Sequence, residues 1–204
     1  MPKITAIVVQ EKDKNRCNLF VDGEFLVGLS IECVLKNRIK VGQDVSNAEI
    51  FALAKEDERG TALTKAINYV SARLKTKKQV KDYLLKKGYS EDTVWYCIDK
   101  LKDYNLINDL EYAKRYVEST GVKQGKRMMA YKLMAKGLNK EDINVAIDSV
   151  EVDTFEGAYN LALKHIRNKE ITKENLSKTY RYLLGKGFSY EEAEKAIDKI
   201  KGND

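Results

Sequence analysis

Three segments of this chain carry the same punctuation, and that repetition limits the fold more than any other feature. They are Leu84-Leu85-Lys86-Lys87-Gly88-Tyr89-Ser90, Leu133-Met134-Ala135-Lys136-Gly137-Leu138-Asn139 and Leu183-Leu184-Gly185-Lys186-Gly187-Phe188-Ser189. Their Lys-Gly pairs lie 49 and 50 residues apart. Nine residues after each glycine comes a matching ending: Cys97-Ile98-Asp99-Lys100-Leu101, Ala146-Ile147-Asp148-Ser149-Val150 and Ala196-Ile197-Asp198-Lys199-Ile200. A repeat of this period is one supersecondary unit stacked on its copies, because a single unit cannot bury its own apolar face.

The spacing predicts three helices per copy. The Lys-Gly pair ends the second helix, with Gly88, Gly137 and Gly187 as left-handed C-terminal caps. The next large apolar residue (Tyr89, Leu138, Phe188) packs back on that end. Ser90, Asn139 and Ser189 then cap the third helix. Ser189 and Glu192 form a capping box; Asn139 with Asp142 is a near variant, and Thr93 fills that slot in the first copy. The first helices are less alike: Ala66 to Val70 resembles Ala113 to Val117, and Ala158 to Ala162 follows loosely.

Ahead of the repeats, Ile4 to Val9 is β-branched and Cys17 to Val21 alternates apolar and polar apart from its last step. Asp22-Gly23 is the turn of a two-residue hairpin, which needs positive φ at both positions. Glu24 to Leu29 returns. Ser30 caps a short helix over 31–37, residues 41–44 turn, and Ser46 or Asn47 caps a helix running past Gly60 to about Ala72. The expected fold is mostly α: three tandem three-helix repeats, helix-turn-helix-like, behind a small N-terminal segment containing a β-hairpin. The expected domains are 1–60, 61–108, 109–152 and 153–204.

Charge narrows the function. The 204 residues hold 37 Lys+Arg against 31 Asp+Glu, with 43% apolar and one proline. That apolar share excludes disorder, and no window approaches the roughly 18 apolar residues of a membrane span. Met1-Pro2-Lys3 leads into no signal-like stretch, so a cytoplasmic location is expected. Cys17, Cys33 and Cys97 are odd in number and far apart, which predicts reduced, mostly buried thiols and no zinc site. Residues 1–60 hold 9 basic and 10 acidic side chains, and 153–204 hold 10 and 9, so the excess sits between them. One basic window contains Arg73, Lys75, Lys77, Lys78, Lys81, Lys86 and Lys87 against Asp82; the other contains Lys123, Lys126, Arg127, Lys132 and Lys136 against no acid. Such blocks favour a polyanion.

Enzyme readings fare badly. His165 is the single histidine, among Leu163, Lys164 and Ile166 with no nucleophile signature nearby, so a structural role is expected. Gly121 to Arg127 resembles a phosphate loop, but its glycine spacing is one residue short and Arg127 replaces the required Ser or Thr. The pairs Glu91-Asp92, Glu141-Asp142 and Glu191-Glu192 fall in the first turn of each third helix, where they meet the positive end of the helix dipole. Acids there also disfavour base readout by that helix, since phosphates would repel them. Lys77, Lys78 and Lys81 fall within an arc of roughly 100° on the second helix, beside a core face of Val80, Tyr83 and Leu84. This ridge suits a phosphate backbone or an acidic protein groove. Tyr83, Tyr89, Tyr104, Tyr112, Tyr116 and Tyr131 are expected mostly in the core with hydroxyls at its rim.

Together these residues resemble the RecX family of bacterial regulatory proteins. The resemblance rests on Ala72-Arg73-Leu74-Lys75-Thr76 before a second helix, on Leu106-Ile107-Asn108-Asp109-Leu110-Glu111-Tyr112-Ala113 continuing into Tyr116-Val117, and on Gly125 to Leu138. It covers residues 60–200. Thr76 stands where the family usually has Ser, and residues 1–60 resemble an N-terminal extension of longer members. The resemblance implies a monomer without cofactor or catalytic activity that binds RecA in the groove of its filament on single-stranded DNA. It further implies inhibition of strand exchange and ATP hydrolysis, within DNA repair, recombination and the SOS response. The residues expected to contact partner or nucleic acid are Arg73, Lys75, Lys77, Lys78, Lys81, Lys123, Lys126, Arg127 and Lys132. The rival is a DNA binder using the same ridge without RecA.

Overall fold

The computed structural model describes residues 1–151 and 153–202. Strand β1 (Ile4–Val9) pairs antiparallel with β2 (Arg16–Val21), and β2 with β3 (Glu24–Ser30). The Asp22-Gly23 turn is present, with φ of 50° and 85°. The expected hairpin is thus part of a three-stranded sheet, because β1 takes the other edge of β2. On β2, Cys17, Leu19 and Val21 enter the core and the residues between them do not.

Ser30 caps α1 (Ile31–Lys36), its Oγ accepting the N–H of Cys33 at 3.0 Å. Helix α2 (Asn47–Ser71) starts in a Ser46/Glu49 capping box and passes unbroken through Gly60. The side chain of Asp57 on α2, 8% exposed, ties that helix to the sheet. It accepts the Ser30 N–H at 2.8 Å and the Ser30 hydroxyl, with the Arg16 guanidinium 4.0 Å away.

Eight further helices follow: α3 (Lys77–Lys86), α4 (Glu91–Asp103), α5 (Asp109–Thr120), α6 (Lys126–Ala135), α7 (Lys140–Ser149), α8 (Thr154–Ile166), α9 (Lys173–Gly185) and α10 (Tyr190–Lys201). With the end of α2 they form three triplets. Gly88, Gly137 and Gly187 all have φ of 87°. Equivalent positions build equivalent cores: Ala66, Ala113 and Ala158, then Leu84, Leu133 and Leu183, then Cys97, Ala146 and Ala196, are all 0% exposed. The third helices are capped as expected by Ser90, Asn139 and Ser189, the last in a capping box with Glu192.

The chain divides into two compact units. The first comprises 1–72 with 81–104, and the second 73–80 with everything from 105. The expected boundary at 152 lies outside the described residues, as do positions 203 and 204. Helix α3 gives its end to the first unit and its start to the second.

Inside the second unit, the start of one second helix docks on the Lys-Gly turn of the next copy. A helix start has unsatisfied N–H groups and a helix end unsatisfied carbonyls, with opposite partial charge. The junctions put the two together. The Gly125 N–H donates to the Lys186 carbonyl at 3.0 Å and the Arg127 N–H to the Gly187 carbonyl at 3.3 Å. One copy earlier, the Thr76 hydroxyl donates to the Lys136 carbonyl at 2.9 Å. The Lys77 N–H there donates to Oδ1 of buried Asp109, also at 2.9 Å.

The glycines let the segments approach. A Cβ on Gly187 would run into Met128, and one on Gly137 into the Lys78 side chain, whereas one on Gly88 meets nothing within 4 Å. All three share the same positive φ, so an added side chain costs about 1–2 kcal/mol anywhere in the set. Gly88→Ala is expected to lose only that in urea unfolding. Gly187→Ala is expected to lose a further ~1–3 kcal/mol from overpacking; equal losses would count against the junction.

Candidate partner and nucleic-acid interface

The nine expected contact residues fall into two groups. Arg73 and Lys75 lie in the connection from α2 to α3, Arg73 exposed and Lys75 half-buried. Thr76 caps α3: its Oγ accepts the Gln79 N–H at 3.2 Å, and the Gln79 side chain accepts the Thr76 N–H at 3.0 Å. Lys77, Lys78 and Lys81 follow on α3. The ammonium of Lys77 is 3.9 Å from Asp109. Lys81 is 3.6 Å from Glu91 and stands 5.0 Å over the ring of Trp95, which is 48% exposed. The core side of α3 is as expected, with Val80 and Leu84 buried and Tyr83 stacked on Tyr69 at 4.1 Å.

In the second group, Lys123 is exposed in the turn before α6, and Lys126 and Arg127 are exposed on its first turn. Lys132 donates to Gln124 Oε1 at 2.7 Å, and the same buried glutamine donates to the Tyr116 hydroxyl at 2.9 Å. The amide thereby locks the 121–125 turn onto α5 and α6. Ten residues of α6 span about 15 Å. The second unit therefore carries Arg73, Lys75, Lys77 and Lys78 around one end of α6, and Lys123, Lys126 and Arg127 around the other. Beside the latter end lies a cleft of about 640 Å³, with Lys126, Arg127 and Lys195 facing Glu191 and Glu192.

The junctions explain part of this clustering. Among the described helices, only α3 and α6 lack an acid in the first turn. Every other helix has Asp or Glu there. Cations at a helix start normally oppose its dipole. Here both starts face a neighbour's carbonyls, which suit positive charge. This contrast was present in the residues, and charge counting alone did not reveal its cause.

The remaining candidates are held by local partners. His165 Nδ1 lies 2.9 Å from the hydroxyl of Thr179, and that hydroxyl already donates to the Asn175 carbonyl, so the ring nitrogen is the donor. The ring stacks on Tyr182 at 4.5 Å, and burial, then Lys169, pushes its pKa down. Two of the first-turn acids are held ionised by neighbouring cations. Lys55 at 2.9 Å and Arg59 at 2.8 Å lower the pKa of Asp92, and the Lys195 hydrogen bond lowers that of Glu191. Four of the six tyrosines are half-buried; Tyr104 and Tyr131 are instead 54% and 66% exposed, being at a helix end and on the outer side of α6.

Comparison with known proteins accounts for nearly the whole chain. Residues 2–46 match the regulatory protein RecX N-terminal domain, and residues 62–101 match the RecX first three-helix domain. A regulatory protein RecX of Clostridium botulinum (strain Eklund 17B / Type B) is 36% identical over 94% of this chain and 92% of its own length. The Bacillus subtilis (strain 168) regulatory protein RecX is 30% identical over 98% of this chain and 78% of its own. This chain belongs to the RecX family. A crystal structure of regulatory protein RecX superposes with a TM-score of 0.70 at 26% identity, covering 97% of this chain and 100% of that one. The RecX from Lactobacillus salivarius gives 0.65 at 28% identity, covering 72% of this chain. The RecX N-terminal match takes in the whole sheet and α1, and the RecX three-helix match runs from the latter part of α2 into α4.

The three thiols are free and buried. Burial pushes Cys97 up to about 11, with the Glu58 charge adding to the rise. A thiol whose folded pKa exceeds its unfolded value stabilises the fold fully below the unfolded value, and that contribution is lost as pH rises toward the folded one. Stability is therefore expected to fall between about pH 9 and pH 11. In native protein at pH 8, Cys97 is expected to resist iodoacetamide, and labelling at the rate of denatured protein would contradict the burial.

Proposed function

We propose that this RecX-family chain binds RecA on single-stranded DNA and lowers its strand-exchange and ATPase activities, thereby regulating recombination and repair. Its relatives are named as regulatory proteins, and the family resemblance supplies RecA as the partner. The observation that carries the reading is the pair of cationic clusters at the two ends of α6, in an array of helical repeats. Repeat arrays present extended surfaces, and cations about 15 Å apart suit a partner whose negative charge recurs along its length. The chain acts as a cytoplasmic monomer, by binding and without turnover. Lys81, pinned between Glu91 and Trp95, extends the first cluster along α3. Lys132, held by Gln124, extends the second along α6.

The rival, direct DNA binding by the same cations without RecA, draws on the same charge. A salt titration of DNA affinity without RecA separates the two, since several phosphate contacts give a steep salt slope.

Arg73 and Lys123 are the best probes, being exposed and outside the junction hydrogen bonds. Arg73→Glu with Lys123→Glu is expected to raise the concentration for half-inhibition of RecA ATPase about tenfold, on the order of 1.4 kcal/mol. The helical circular dichroism should not change. Undiminished inhibition would remove these clusters from the interface.

A further inference from the structure

The three Lys-Gly turns are not used alike. Two Lys-Gly turns receive a helix start: Lys136-Gly137 takes the start of α3, and Lys186-Gly187 takes that of α6. The turn at Lys87-Gly88 is built the same way. Its glycine has the same φ of 87°, and the Gly88 and Tyr89 N–H groups bond back to the Leu85 and Leu84 carbonyls. The second turn repeats this through Gly137 and Leu138, and the third through Gly187 and Phe188. In all three copies the lysine of the pair lies over a tyrosine, Lys87 over Tyr83 at 5.8 Å, Lys136 over Tyr112 at 5.9 Å and Lys186 over Tyr182 at 5.2 Å. That swings the ammonium aside and leaves the carbonyls to whatever docks.

At Lys87-Gly88 no described residue docks. Among the described residues no donor reaches either carbonyl, and a Cβ on Gly88 would stand in open space. No copy precedes the first, so no helix start within the array is available to fill this turn.

We infer that the Lys87-Gly88 turn is a docking point for the start of an α-helix on the partner. The occupant's chemistry follows from the two helices that use the other turns. One begins Thr76-Lys77-Lys78 and the other Gly125-Lys126-Arg127. The N-cap is small or hydroxylic, and the first turn has no acid to be repelled by the carbonyls and negative dipole end of the turn. The docked helix of the partner shares these features: Ser, Thr or Gly at its cap and no Asp or Glu in its first turn. The inference rests on the function proposed above, with the RecA filament as the source of that helix.

The test uses asparagine, which tolerates positive φ. Gly88→Asn fills the space over the turn while keeping its backbone. Gly42→Asn is the matched control, since Gly42 has the same φ of 87° and nothing within 4 Å of its Cβ. Binding of full-length chain is measured on RecA filaments assembled on single-stranded DNA. Gly88→Asn is expected to weaken binding about tenfold, the scale of one lost set of hydrogen bonds, while Gly42→Asn matches the native chain. Native-like binding by Gly88→Asn overturns the docking point alone. Failure of the native chain to bind overturns it together with the function on which it rests. A measurement on the native chain guards against misfolding of the variant. Amide exchange across residues 85–90 is expected to slow on the filament, and unchanged exchange there also overturns the inference.

Discussion

The second unit depends on one kind of contact, a helix start whose N–H and O–H groups meet the carbonyls at another helix end. Each partner supplies what the other lacks. The last carbonyls of a helix have no intrahelical donor, and the first N–H groups have no intrahelical acceptor. Joining the Gly125 and Arg127 N–H groups to the Lys186 and Gly187 carbonyls pairs two donors with two acceptors without a side chain. The contact needs a close backbone approach, which is why the turn residue is glycine. At Gly137 and Gly187 a Cβ would strike the docked segment. Glycine is therefore favoured twice over at these positions, by φ and by space, and at Gly88 by φ alone.

The junction also reorganises how the charge is understood. Basic residues at the starts of α3 and α6 face partial negative charge contributed by the fold itself. Lys77 goes further and meets the carboxylate of Asp109. Structural cations and those proposed to face the partner thus sit side by side in one stretch of sequence. Arg73 and Lys123 flank the helix starts without taking part in the junction bonds, so they separate the two roles better than Lys77 or Arg127 does.

Local features were legible in the residues because their physics is local. A Lys-Gly pair followed by an apolar residue and a Ser or Asn specifies a left-handed cap and then a new helix start. All three copies fold that way. The alternation on Cys17, Leu19 and Val21 likewise set the inner face of β2. Long-range features were not legible. Nothing near Ile4 says which edge of β2 it takes, and nothing near Lys126 says that its helix start faces Gly187. Tyr131 shows the same limit: it falls in a repeat segment otherwise rich in core residues, yet it is 66% exposed on a helix whose buried side is Met129 and Leu133.

The third copy shows that the array has a built direction. Helices α3 and α6 begin eleven residues before their cap glycines, at Lys77 and Lys126, whereas α9 begins fourteen before Gly187, at Lys173. The extra turn changes the chemistry of the start. Thr172 accepts the Asn175 N–H at 3.2 Å, the Asn175 amide donates to the Glu170 carbonyl at 2.9 Å, and Glu174 stands in the first turn. This start satisfies itself, and its acid would be repelled by another turn's carbonyls. The two copies therefore differ: the second helix of the third copy has a start that bonds within itself, while the turn of the first copy has carbonyls that no donor reaches among the described residues. Among the described second helices, the acid and the extra turn thus fall on the one whose start takes no part in a junction.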